Sequence, residues 1–91
     1  MEIFWTDHAL GQLDEIYNYI ATDSKIYAQK VIDKLTKATE QLAKFPESGR
    51  YVPEIEDDII REMISGNYRI VYKVYTERID ILSVLHVRQL L

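Results

Sequence analysis

The chain has no cysteine, only two histidines and two prolines, and a single tryptophan among its 91 residues. Without cysteine there is neither a disulfide framework nor a thiolate metal site, and His8 and His86 lie too far apart in sequence to suggest a metal cage. No long apolar run is present either. Met1 leads directly into Glu2-Ile3-Phe4-Trp5 with no basic flank, so neither a signal peptide nor a membrane span is expected, and a cytoplasmic location follows. Basic residues are outnumbered 11 to 15, giving a net charge of −4, which argues against sequence-independent coating of nucleic acid. The apolar share of 47% is enough for one core, so a single domain over residues 1–91 is expected, with one surface site and no deep cofactor cleft. No cofactor is predicted.

Charge is unevenly spread. Residues 1–58 hold twelve acids and six bases, whereas residues 59–91 hold three acids and five bases. An acidic scaffold with a locally basic end suits a specific anionic or acidic partner. Most of that basic character falls in Tyr68–Tyr75 and Ile79–Arg88, two runs dense in β-branched and aromatic residues that read as a hairpin. Alternation puts Tyr68, Ile70, Tyr72 and Val74 on a buried face and Arg69, Val71, Lys73 and Tyr75 on the other. A two-residue turn at Glu77-Arg78 would pair Tyr75 with Asp80, Lys73 with Leu82, Val71 with Val84 and Arg69 with His86, gathering Arg69, His86 and Arg88 into a cluster.

The remaining elements follow from periodicity and capping. Glu2–Thr6 reads as a strand, and Asp7 to about Thr22 as an amphipathic helix capped by Thr6 or Asp7, with Ala9, Leu13, Ile16 and Ile20 inward. Thr22-Asp23-Ser24 supplies a cap for a second helix reaching about Phe45, with Ala28, Val31, Ile32, Leu35, Ala38, Leu42 and Phe45 at helical spacing. Lys30, Lys34, Lys37 and Lys44 fall near one side of it, as a partner surface or a solvated face. Pro46-Glu47-Ser48-Gly49 ends the helix, Arg50–Asp58 is an acidic connector, Ile59–Ile64 is a strand, and Ser65-Gly66-Asn67 turns into the hairpin. The predicted fold is α+β, with an N-terminal strand and a helical hairpin packed on a small, mainly antiparallel sheet.

This order of elements, with Phe45-Pro46-x-x-Gly49-Arg50, Pro53-Glu54, Arg61-Glu62, Gly66-Asn67-Tyr68-Arg69-Ile70-Val71-Tyr72 and Val84-Leu85-His86-Val87-Arg88, resembles the RelE/ParE superfamily of toxins from type II toxin-antitoxin modules. The resemblance spans nearly the whole chain. It implies a toxin neutralised by a cognate antitoxin and acting either on DNA gyrase, as ParE-like members do, or on ribosome-bound mRNA, as RelE-like endoribonucleases do.

For the nuclease branch the resemblance assigns Arg69 to the substrate phosphate and Glu54 to the base, with His86 and Arg88 as further candidates. The strand before Arg69 carries Ile60 and Glu62 where RelE has lysines, and the chain has Arg88-Gln89 where YoeB-like members have His-Tyr. The Phe-Pro-x-x-Gly-Arg, Pro-Glu and Arg-Glu segments, with the His-x-Arg ending, look more like ParE. A gyrase inhibitor would use Arg50, Arg61, Arg69 and Arg88 as contacts to gyrase or antitoxin, although Arg50, Arg61 and Glu62 equally suit an internal salt-bridge network. A degenerate toxin retaining only antitoxin binding is the third reading.

Overall fold

The computed structural model describes residues 1–91. Thr6 opens the fold by serving two elements at once. Its hydroxyl caps the first helix, α1 (Asp7–Ala21), by accepting from the Ala9 N–H at 3.2 Å, and donates to the Ile81 carbonyl at 2.8 Å. The helix start is thereby tied to the C-terminal half of the chain. Ser24 caps the second helix, α2 (Lys25–Lys44), by accepting from the Tyr27 N–H at 3.1 Å. Pro46 follows closely, where a continuing helix would lose a backbone donor.

Five strands make one sheet: β1 (Glu2–Trp5), β2 (Arg50–Tyr51), β3 (Ile60–Ser65), β4 (Tyr68–Val74) and β5 (Arg78–His86), in the spatial order β1-β5-β4-β3-β2. Only the β1–β5 pairing is parallel. Both helices pack on one face, burying Ala9, Leu35 and Leu42 against Ile70, Tyr72, Ile79, Ile81 and Val84. Ile3, Trp5, Leu13, Ile16, Val31, Tyr68 and Val74 complete this core from its margins. The predicted α+β architecture and the buried face of β4 are therefore present.

Four local expectations need correction. Arg50-Tyr51 forms a short strand against Arg61 and Glu62 inside the segment read as connector. Phe45 is 65% exposed, because the chain leaves helical geometry at that residue and swings its ring away from the core. The last turn lies one residue earlier than expected: the Tyr75 N–H bonds the Arg78 carbonyl at 2.8 Å, leaving Thr76-Glu77 as the loop.

The fourth correction concerns register. Lys73 pairs with Asp80 and Tyr72 with Ile81, but Val71 pairs with Ser83, so Leu82 is an extra residue in β5. Such a bulge re-aims every side chain beyond it. Val84 accordingly enters the core beside Ile79 and Ile81, and His86 faces Tyr68, not Arg69. The predicted Arg69–His86–Arg88 cluster does not form.

Gly66 and Gly49 are each required by geometry. Ser65 and Tyr68 close a two-residue hairpin in which Gly66 has φ +58°, a conformation costly for residues bearing Cβ. At Gly49 the constraint is space. A Cβ there would overlap the Tyr72 hydroxyl and the Glu62 carbonyl oxygen. The close approach lets the Gly49 N–H donate to the Tyr72 hydroxyl at 2.9 Å, satisfying the polar tip of a buried ring.

Candidate functional site

The sheet face opposite the helices carries an ion network centred on Arg69. Alternation along β3 and β4 puts Glu62, Ile64, Arg69 and Val71 on this face, and the pairs Glu62 with Val71 and Ile64 with Arg69 make Glu62 and Arg69 diagonal neighbours. The 52–58 segment brings Glu54 over them, and Val52 and Val71 are buried outside the main core. Arg69 is itself buried, with 7% of its side chain exposed, and the Glu62 side chain is fully covered.

A guanidinium has five N–H donors. Arg69 uses all of them within the protein. Nε and Nη2 donate to Glu62 Oε1 at 2.9 and 2.7 Å, Nη2 and Nη1 clamp the two oxygens of Glu54 at 2.9 and 3.0 Å, and Nη1 also donates to the Gln89 carbonyl at 2.8 Å. Glu62 Oε2 is taken by Arg50, at 2.8 Å from both Nε and Nη2, while the Leu91 N–H donates to Glu54 at 3.2 Å. Arg69 thus joins the 52–58 loop, β3 and the C-terminal segment, and Glu62 links that centre to β2.

Electrostatics follow from this geometry. Hydrogen bonds from Arg69, then from the Leu91 backbone, hold the Glu54 carboxyl down at about 2, and the Glu54 carboxylate, followed by Glu62, raises Arg69. A carboxylate that acidic is a weak proton acceptor near neutral pH, where general bases are best matched to the operating pH. Beside the network lies an open hollow of about 460 Å³ lined by Arg50, Pro53, Ile64, Val87 and Leu90.

The other expected site residues lie elsewhere. His86 stacks edge-on against Tyr68 with ring centroids 5.9 Å apart, and its Nδ1 accepts from the Arg88 N–H at 3.2 Å. Its neighbours include Gln12, Ile16 and Tyr19 of α1, placing it toward the helical side. Arg88 is exposed. Arg61 shares β3's other face with Met63, donating to the Gly49 carbonyl at 2.9 Å and lying 4.7 Å above the Tyr51 ring. Arg50, Glu54 and Arg69 are therefore brought together, whereas Arg61, His86 and Arg88 are not.

Sequence reasoning treated Glu62 only as a possible partner in a structural network, and it is the hub. The signal was present in the Gly66-Asn67 turn, since a two-residue loop there forces the Glu62–Arg69 diagonal.

Two helices on a five-stranded mixed sheet, with an arginine–glutamate network across the open face, define a small α+β toxin of the RelE/ParE type. Residues 3–91 match the model described as ParE toxin of type II toxin-antitoxin system, parDE, and the chain belongs to that family. It is 36% identical over 89 residues to a toxin candidate, Y4kP, of Sinorhizobium fredii, covering 96% of this chain and 88% of the relative. It is also 31% identical over 90 residues to toxin RelE2 of Caulobacter vibrioides, covering 98% of each. A solved chromosomal ParDE toxin-antitoxin system from P. aeruginosa has the same fold, with TM-score 0.81 at 22% identity over 97% of each chain. An antitoxin partner is implied by membership of such a module. No helix is long and apolar enough to cross a membrane.

Proposed function

We propose that this toxin acts by inhibiting DNA gyrase and that its antitoxin relieves the inhibition by binding it directly. One observation carries the choice: all five N–H donors of Arg69 are engaged by Glu54, Glu62 and Gln89. A nuclease that binds a scissile phosphate through this arginine would first have to break a buried, bidentate network. Inhibition by surface contact needs no such rearrangement. In this reading Arg50, Arg61 and Arg88 make charge-assisted contacts from the surface, and Arg69 holds the frame that presents them. The Glu54 carboxylate and the remote His86 are poorly disposed for proton transfer at a shared phosphate.

Ribosome-dependent mRNA cleavage is the alternative, favoured by the relative named toxin RelE2. Purified toxin should block gyrase supercoiling or trap cleaved DNA while leaving mRNA in programmed ribosomes intact. Codon-positioned cuts that vanish in His86→Ala, with gyrase unaffected, would reverse the assignment.

A further inference from the structure

β1 ends the sheet on one side, with β5 on its inner flank and no strand beyond it. The Thr6 N–H donates to the Ile81 carbonyl at 3.2 Å, which fixes the phase of this parallel ladder. Backbone groups along a strand point alternately to either side, so Glu2, Phe4 and Thr6 address β5 while Ile3 and Trp5 aim theirs outward. Natural edges are usually guarded by a lysine, a proline or a bulge. Ile3-Phe4-Trp5 has none of these. Ile3 and Trp5 pack against the core, so Phe4 lies on the face opposite the helices, where it is 53% exposed.

This edge is complementary to itself. Directly opposed residues of an antiparallel pair share a face, so a self-pairing that keeps both cores whole must match residues of the same phase. Centred on Phe4, Ile3 exchanges both backbone bonds with Trp5 of a second copy, and Trp5 does the same with its Ile3. Phe4 then meets Phe4 at the non-bonded position, where side chains come closest. Centring on Ile3 would need Met1 to pair with Trp5, but the Met1 ammonium is held on the Ala43 carbonyl at 3.1 Å.

Charge selects the same partner. The Met1 bond sets the end of α2 beside the start of β1, and Thr6 carries the chain from the end of β1 into α1. Antiparallel pairing brings start against end, so Lys44 in the last turn of α2 approaches Asp7 in the first turn of the second copy's α1. Neither residue has an ion-pair partner within its own chain. The helix dipoles agree, since a C-terminus meets an N-terminus. Met1 and Phe45, both exposed, line a hollow of about 530 Å³ at this corner.

We infer that β1 is the contact between two copies of this chain, joined antiparallel about a two-fold axis at Phe4 into one continuous sheet. Each copy has a single β1, so assembly closes at two. A strand this short makes a contact at the weak end of specific interfaces, and dimerisation in the micromolar range follows. The inference is independent of whether gyrase is the target.

Sedimentation of the purified toxin at rising concentration should show a monomer–dimer equilibrium with no larger species. Phe4→Glu, which opposes two carboxylates, should stay monomeric where wild type is paired, with its melting temperature near wild type. Lys44→Glu and Asp7→Lys should each weaken dimerisation by about 5-fold, and the double variant should recover it, because the exchanged charges attract again between copies. The chain has no cysteine, so single cysteines report the register. Opposed Cα atoms at a non-bonded pair lie ~4.5 Å apart, within disulfide reach, and oxidised Phe4→Cys should form a covalent dimer. Glu2→Cys should not, since its two copies would lie about 14 Å apart. The Ile3 and Trp5 amides should gain protection from hydrogen exchange as toxin concentration rises. A toxin monomeric at high micromolar concentration overturns the inference, as does a dimer that Phe4→Glu leaves intact. So does Glu2→Cys cross-linking as readily as Phe4→Cys, or amide protection that appears only when antitoxin is added.

Discussion

Arg69 lies on the face that strand alternation assigned to it, yet that face is not solvent. The 52–58 loop and the C-terminal segment close over it, a covering that no period-2 pattern can signal because it comes from irregular chain. Arg69→Ala would leave the buried Glu62 carboxylate without one of its two arginines, and breaking a buried pair in this way typically costs about 3–5 kcal/mol. Denaturant unfolding should show a loss of that size, so any loss of toxicity must be judged against folded fraction. Arg69→Lys should recover part of the stability, since an ammonium keeps the charge but cannot reproduce five planar donors.

Glu54 adds a pH signature. Its folded value of about 2 lies below the ordinary 4.5, so its contribution is complete above pH 4.5 and is lost as pH falls from 4.5 through 2. Thermal melts should decline over that window, and Glu54→Gln should flatten the decline while lowering stability at neutral pH. Tyr72→Phe should cost about 1–3 kcal/mol by stranding the Gly49 N–H.

At the level of elements, both helices and the Gly66-Asn67 turn were readable because each announces itself locally, by periodicity, by a Thr or Ser cap, or by a glycine that can take positive φ. Gly66→Ala should destabilise by about 1 kcal/mol, measured by equilibrium unfolding, with the hairpin register kept by Tyr68 and Ile70. Two features were not readable. β2 is two residues long with both side chains exposed, too short to show alternation. The bulge in β5 is silent for another reason: Ile81, Leu82, Val84 and Leu85 are all apolar, so a one-residue slip in phase leaves both faces mainly apolar and moves only Ser83 and His86 as polar residues between them. The misplaced His86 followed directly from that silence. A bulge at Leu82 also explains how the candidate site was only half legible, with Arg69 set beside Glu54 in the nuclease reading and beside Arg50 in the gyrase reading, and His86 sent to the wrong side.

On the scale of the whole molecule, the sheet is closed by its two most distant segments. β1 lies parallel to β5, with Trp5 opposite Ile81, and the Thr6–Ile81 hydrogen bond spans 75 residues. Non-local pairing of this kind is slow, and mixed topologies fold more slowly than helical bundles, which take microseconds to milliseconds. Trp5, the only tryptophan, is a natural reporter of the event, and its fluorescence in stopped-flow refolding should trail the far-ultraviolet signal of the helices. During synthesis the same arrangement sets a clock: the opening strand and helical hairpin are translated before their partner strand exists. Arg69 and Glu54 also meet under a segment ending at Leu91, whose amide must arrive before Glu54 is fully bound. Until this region is translated the Arg69–Glu54 frame lacks its Gln89 and Leu91 contacts, which leaves an interval in which antitoxin made at the same time can be waiting when the toxin first takes shape.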